Sequence, residues 1–212
     1  PSQRVAGKPL PGFKKVRHKV PQWSFNDAFT PEDIREFDAR VRRFLKPKFG
    51  DVHPTYVCEL KIDGLKVVLE YEKGLLKTAA TRGNGLVGED VTHNVRTIES
   101  VPLALSRPID AIVEGEVWMS SRGSIRQLDP KVAASRKLDV FFYDIARLSG
   151  ERRSTERKSA NVNTSETLPG TQKEELEYMR GLGFKVNPHH HLAKNIEEVI
   201  TYWQTWKKKG RR

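Results

Sequence analysis

The sequence predicts an α+β fold in which antiparallel β-sheets carry peripheral helices. Three observations point there. Short β-prone runs separated by turn signals fill the stretch from Thr55 to about Leu105 and return at Ala111–Met119 and Leu138–Ile145. A well-signalled helix precedes them and two more close the chain. No internal repeat is visible.

The elements follow in order. Residues 1–22 are rich in Pro, Gly and Lys and read as an extended basic arm, leaving 23–212 as the main domain. Thr30-Pro31-Glu32-Asp33 starts a helix, with Thr as cap, Pro in the first turn and acids at the positive end of the dipole. Ile34, Phe37, Val41, Phe44 and Leu45 share one face of it, and Lys46-Pro47 is expected to end it. Tyr56–Leu60 and Val67–Tyr71 are β runs separated by Lys61-Ile62-Asp63-Gly64. Glu72-Lys73-Gly74 is a hairpin turn leading to a run through Ala80. Ser149–Gly170 is polar and charged and reads as a mobile loop. Thr171 and Glu174 form a capping box for a helix that Gly183 stops, with Leu176, Met179 and Leu182 on its apolar face. Asn195 and Glu198 form a second box before Ile196, Val199, Ile200, Trp203 and Trp206.

Composition narrows the classes. The chain has 212 residues, enough for one large domain or two small ones, and four Trp with nine Phe supply a core. No apolar run reaches membrane-spanning length and no signal peptide is evident. The chain opens on Pro1 rather than Met, so a fragment or processed chain is expected. One cysteine, Cys58, excludes an internal disulfide and a multi-cysteine zinc site, and fits a reducing cytoplasm. A net charge of +11 favours polyanionic partners, nucleic acid before membrane. The basic residues cluster at Lys14–Lys19, Arg40–Lys48, Arg152–Lys158 and Lys207–Arg212.

The chemistry centres on Lys61-Ile62-Asp63-Gly64. A lysine beside a turn between two β runs can project its amine into a cleft, where burial or neighbouring cations make it nucleophilic. Asp63 either orients that amine or helps hold a metal ion, and Gly64 permits a sharp turn. Taken alone, a four-residue pattern is also that of an ordinary exposed hairpin lysine. Glu59 lies two residues before Lys61, on the same face if the strand continues, where a carboxylate can accept from a nucleobase amine. Arg82 in Thr81-Arg82-Gly83-Asn84-Gly85 suits a phosphate or a ribose hydroxyl. Of the two acids in Glu114-Gly115-Glu116, Glu114 reads as a solvent-facing strand residue and Glu116 does not. His189-His190-His191 reads as a solvated turn rather than a metal site, His18 and His93 as local hydrogen-bonders, and Trp203 and Trp206 as core.

Longer phrases carry a resemblance. Cys58–Leu65, Ala80–Gly85 with Gly88–Thr92, Asn94–Ile98, Arg17–Phe29, Arg126–Pro130 and Thr171–Pro188 together resemble the bacterial NAD-dependent DNA ligase family, nearly end to end. The resemblance implies the ATP-grasp-like nucleotidyltransferase fold of DNA ligases. It also implies that Lys61 attacks the α-phosphate of NAD and carries AMP as a lysyl adduct, which is then used to seal nicks in duplex DNA. Glu59 would read the adenine, Ser24 and Phe25 would line the nucleotide site, Arg82 and Glu116 would contact the ribose and phosphate region, and Arg126 would meet DNA phosphate or the nucleotide. Magnesium would neutralise the transferring phosphoryl group, and the enzyme would act as a monomer in the bacterial cytoplasm, at the nucleoid.

The departures matter too. Phe25 and Asn26-Asp27 replace the usual Leu and Asp-Asn, and Glu114 stands where the family commonly has arginine, so Glu114 receives no role. Against the family's pattern, a helical stretch is expected near 120–123 that the sequence does not show; it is either deleted or left out of this numbering, and the second is favoured. The sequence is expected to stop before a later motif with a further lysine and to leave out the family's accessory modules. The fragment by itself is therefore expected to be inactive in overall ligation. Two alternatives stay open: an ATP-dependent ligase or capping-type transferase, and a non-catalytic DNA-binding module.

Overall fold

Lys66, Glu70, Glu114 and Glu116 recur at even spacing in the β-prone runs Leu65–Glu72 and Ala111–Met119, which gives the sheet they build one partly charged face, and that sheet dominates the fold. In the computed structural model, which describes residues 14–24, 26–119, 138–148 and 168–209, the chain is α+β with antiparallel sheets. The arm before Lys14, Phe25, the segment holding 120–123 and Arg126, the stretch from Ser149 through 167 with its basic run, and Arg211 lie outside the described residues. The chain forms two compact units, Pro1–Trp23 with Lys61–Asn187, and Ser24–Leu60 with Pro188–Arg212.

The first unit is built on β3 (Leu65–Glu72), β4 (Leu75–Thr81), β6 (Ala111–Met119) and β7 (Leu138–Leu148), in the order β4-β3-β6-β7. The β3–β4 hairpin turns through Lys73 at φ 50° and Gly74 at φ 78°, two positive values that match the twist of the strands. Asp110 accepts from the Lys73 N–H at 2.6 Å and pins the turn. Val67, Leu69, Val113, Val140 and Phe142 are fully buried on one face. Over that face lie Phe184, 4.7 Å from the Phe142 ring, and Leu176, Met179 and Leu182 of α3 (Gln172–Leu182). Gly115 makes room for Phe142, whose Cδ1 would lie 2.9 Å from any added Cβ. The opposite face carries Lys66 and Glu70 from β3 and Glu114 and Glu116 from β6. Along β7 the register passes from Glu114↔Asp144 to Gly115↔Phe142, so Tyr143 is the extra residue of a bulge. A short pair, β1 (Lys15–Arg17) with β5 (Val87–Glu89), and a single helical turn, α2 (Thr92–Val95), complete this unit.

The helix α3 has the expected capping box between Thr171 and Glu174, and Gly183 ends it at φ 101°.

The second unit contains α1 (Pro31–Phe49), β2 (Tyr56–Glu59), β8 (His190–Ala193) and α4 (Ile196–Lys209). Thr30 and Asp33 cap α1 reciprocally, with Pro31 in the first turn. Ile34, Ile196 and Ile200 form the core, and Tyr56, Val199 and Trp203 pack against it. Asn195 accepts from the Glu198 N–H at 3.0 Å, while the Glu198 carboxylate reaches back to the Lys194 N–H instead of to Asn195. Arg35 holds Glu197 through Nε and Nη2 at 2.8 and 2.9 Å, an exposed pair of little energetic weight.

Three expectations are corrected here. Pro47 does not end α1; it lies inside the last turn, which closes when the Gly50 N–H reaches the Lys46 carbonyl at 2.9 Å. The inward face of α1 is not uniformly apolar: Phe44 is 84 % exposed, whereas Asp38 is buried and accepts from Tyr56 Oη at 2.5 Å and Arg42 Nε at 2.8 Å. The triple histidine is not a turn, since His190 and His191 belong to β8 and pair with Glu59 and Cys58.

Candidate active site

Because β2 stops at Glu59 and β3 starts at Leu65, Lys61-Ile62-Asp63-Gly64 is a connection and not a strand. The alternation expected to put Glu59 and Lys61 on one strand face therefore ends before Lys61. Lys61 and Asp63 are exposed, so the amine is not enclosed as the sequence suggested. Gly64 has no positive φ, and its need is steric rather than conformational. A Cβ there would sit 2.1 Å from the Val117 carbonyl oxygen and 3.1 Å from Glu116 Cγ. The same close approach lets the Gly64 N–H donate to the Glu116 carboxylate.

Glu116 is half-buried on the polar face of the sheet. Burial pushes its carboxyl above the usual range; Lys61 and Lys66 oppose that rise, as does the Gly64 N–H, and Asp63 adds to it. Lys61, Asp63 and Glu116 are thus brought within electrostatic reach of one another. Glu114 corrects the expectation of a solvent-facing acid. It is 7 % exposed and paired with Lys66 at 2.6 Å, because β6 is an inner strand flanked by β3 and β7. Burial, then Glu114, raises the carboxyl of the neighbouring Asp144, against Glu175 and Lys66.

Tyr143 also belongs to this site and was missed. Burial holds its phenol well above the usual value, Glu116, Glu114 and Asp144 raise it further, and Arg82 opposes them. It therefore lies within electrostatic reach of both Glu116 and the glycine-turn arginine. The sequence signal was no more than an aromatic beside Asp144, since a bulge leaves no mark in composition.

Arg82 is half-buried at the start of its turn. Gly83 and Gly85 adopt φ 56° and 91°, and a Cβ on Gly83 would lie 1.9 Å from the Val87 carbonyl oxygen. Asn84 Oδ1 accepts from the N–H groups of Leu86 and Val87 at 3.0 and 2.8 Å. The Arg82 carbonyl takes the Gly85 N–H at 3.1 Å, and His18 Nε2 lies 3.1 Å from it. His18 is accordingly a long-range tie from the arm rather than a local hydrogen-bonder. The small cleft beside it is lined by Val16, His18, Val20, Val68 and Ile112 together with the polar and charged Arg17, Lys19, Glu70 and Thr78.

Of the remaining candidates, Ser24 is exposed and Glu59 half-buried, both in the second unit, and Phe25 and Arg126 lie outside the described residues. Among the described residues, no group of three or more His, Cys, Asp or Glu is gathered in a way that could hold a metal ion. Arg40, Arg43, Lys46 and Lys48 are exposed along α1, and Lys207–Lys209 at the end of α4. No helix among the described residues is long and apolar enough to cross a membrane.

A family model described as the NAD-dependent DNA ligase adenylation domain matches residues 10–123 and 120–212. A DNA ligase of Thermotoga maritima is 39 % identical over 236 residues, covering 100 % of this chain and 31 % of the relative. DNA ligases of Anoxybacillus flavithermus and Brevibacillus brevis are each 41 % identical, covering 97 % and 99 % of this chain. The chain spans about a third of the length of these relatives, at 31 % and 32 %. With the match running through the lysine connection, the glycine turn and both polar strands, the chain belongs to the NAD-dependent DNA ligase adenylation domain family.

Proposed function

We propose that this chain loads AMP from NAD onto Lys61 as the first step of sealing nicks in duplex DNA. The Lys61 nitrogen, having lost a proton, forms a bond to the α-phosphorus of NAD. The bond from that phosphorus to the bridging oxygen breaks, and nicotinamide mononucleotide leaves. AMP then passes from Lys61 to a DNA 5′-phosphate, and a 3′-hydroxyl displaces it to close the strand. Asp63 orients the amine, Glu116 and Arg82 hold the ribose and phosphate region, Glu59 accepts from the adenine amine, and Ser24 and Phe25 line the nucleotide site. Arg126 and the exposed lysines and arginines meet DNA phosphate.

The observation that carries this reading is the tie of Gly64 to Glu116, with Lys61 and Asp63 as electrostatic neighbours of the same carboxylate. It supports the reading by keeping the Lys61 amine, on its connection, within electrostatic reach of a carboxylate near the end of β6. Magnesium keeps most of its coordination for water and phosphate oxygen. With no three-ligand group among the described residues, it would come with the phosphates, and no residue is assigned to hold it. We place the protein in the bacterial cytoplasm as a monomer, acting with the rest of its chain.

The test is intact-mass measurement of the full-length protein after exposure to NAD. One added AMP is expected, and it should vanish in Lys61→Ala. An adduct that survives this substitution overturns the assignment of the nucleophile, and loading from ATP instead of NAD overturns the choice of substrate.

A further inference from the structure

The polar face of the main sheet holds charged groups that the proposed reaction does not use, a buried lysine among them. Lys66 Nζ lies 2.6 Å from Glu114 Oε2, with side chains only 14 % and 9 % exposed. Lys66 is also the direct cross-strand partner of Glu116, and Glu114 that of Asp144. One lysine on an inner strand thus stands among three carboxyl groups.

A buried ion pair seldom adds net stability over apolar residues of the same size, because desolvating both charges offsets their attraction. Its value here is fixed placement. Glu116 has two lysine neighbours, and they differ in kind. Lys61 sits on an exposed connection, and in the reaction proposed above its amine is uncharged when it attacks and stays uncharged as a phosphoramide. Lys66 sits near the start of an inner strand and undergoes no chemistry. Throughout the reaction it is the lysine whose charge continues to face Glu116.

We propose that Lys66 is a positioning residue for Glu116, held in place by Glu114, that keeps this carboxylate charged and aimed while Lys61 is neutral. The assignment rests on the AMP-loading reading above. Lys66 acts through Glu116 and does not touch the nucleotide. The role is therefore one of maximal rate and not of NAD affinity.

The experiment measures AMP loading of the full-length protein over a range of NAD concentrations. Lys66→Met alone leaves Glu114 buried without a partner and can fail to fold. The decisive variant is therefore Lys66→Met with Glu114→Gln, which removes both charges of the pair. Its maximal loading rate is expected to fall ~10–100-fold, the scale of a misplaced active-site group, with the half-saturating NAD concentration little changed. Lys66→Arg, which keeps the charge, is expected to recover most of the rate. A folded double variant that loads at the unsubstituted rate overturns the proposal, as does a loss confined to NAD affinity. Failure of the unsubstituted protein to load AMP would instead refute the underlying reading, so the two failures are distinguishable.

Discussion

Replacing Gly64 with alanine tests whether the lysine connection is held by steric fit. The added Cβ would lie 2.1 Å from the Val117 carbonyl oxygen and 2.9 Å from its carbon, both in backbone that cannot rotate away. Ordinary contact requires the β3 start and β6 to separate by about 1 Å, at the Leu65↔Val117 end of their ladder. Overpacking of this kind costs about 1–3 kcal/mol, partly offset by ~0.4–1 kcal/mol from a stiffer unfolded chain. The effect on chemistry is larger, because the shift breaks the Gly64 N–H bond to Glu116 and moves Lys61 with it. A 1 Å misplacement costs on the order of 100-fold in rate. Urea denaturation reads the first quantity and the rate of AMP loading reads the second. Gly181→Ala is the control: nothing lies within 4 Å of its Cβ, and a helix interior favours alanine by up to ~1 kcal/mol. If Gly64→Ala matches the unsubstituted protein in stability and loading, the close approach of β3 and β6 is not what holds the site.

Two further outcomes are expected. Asp38→Ala strips the partner from Tyr56 and Arg42 and should destabilise by about 1–3 kcal/mol in urea denaturation. It should also lower the Tyr56 phenol pKa, which burial first and Asp38 second hold up; an unchanged ultraviolet titration of that phenol would contradict the assigned bond. In a carboxyl NMR titration, Asp33 should titrate below its usual value, held down by the Phe29 N–H and then by Thr30. Glu116 and Asp144, both raised chiefly by burial, should titrate above theirs. The stability contributed by Asp33 is present above the ordinary carboxyl value and lost as pH falls through the lowered one. That of Glu116 and Asp144 is present at low pH and lost as pH rises through the raised values. The reverse order of titration would refute these environments.

Local signals were the legible part of this fold. Thr30 and Thr171 announced their helices because a cap needs only a few adjacent residues, and Lys73-Gly74 announced its hairpin for the same reason. What depended on a distant partner was not readable. Glu114 looked exposed because its burial comes from β3 and β7 on either side, and Asp38 interrupts an apolar stripe because Tyr56 comes to meet it. The candidate site divided along the same line. The Lys61–Gly64 phrase stood out in the sequence, while Lys66 and Tyr143 owe their positions to strand register and a bulge.

The pairing of β2 with β8 has a consequence for how the protein is made. The strand that ends in Glu59 finds its neighbour in His190–Ala193, which a ribosome delivers only near the end of the described chain. Until then β2 offers open backbone donors and acceptors to any other extended chain. Synthesis that stalls before this closing segment would leave an adhesive edge exposed, and nascent chains would be most prone to aggregation in that interval.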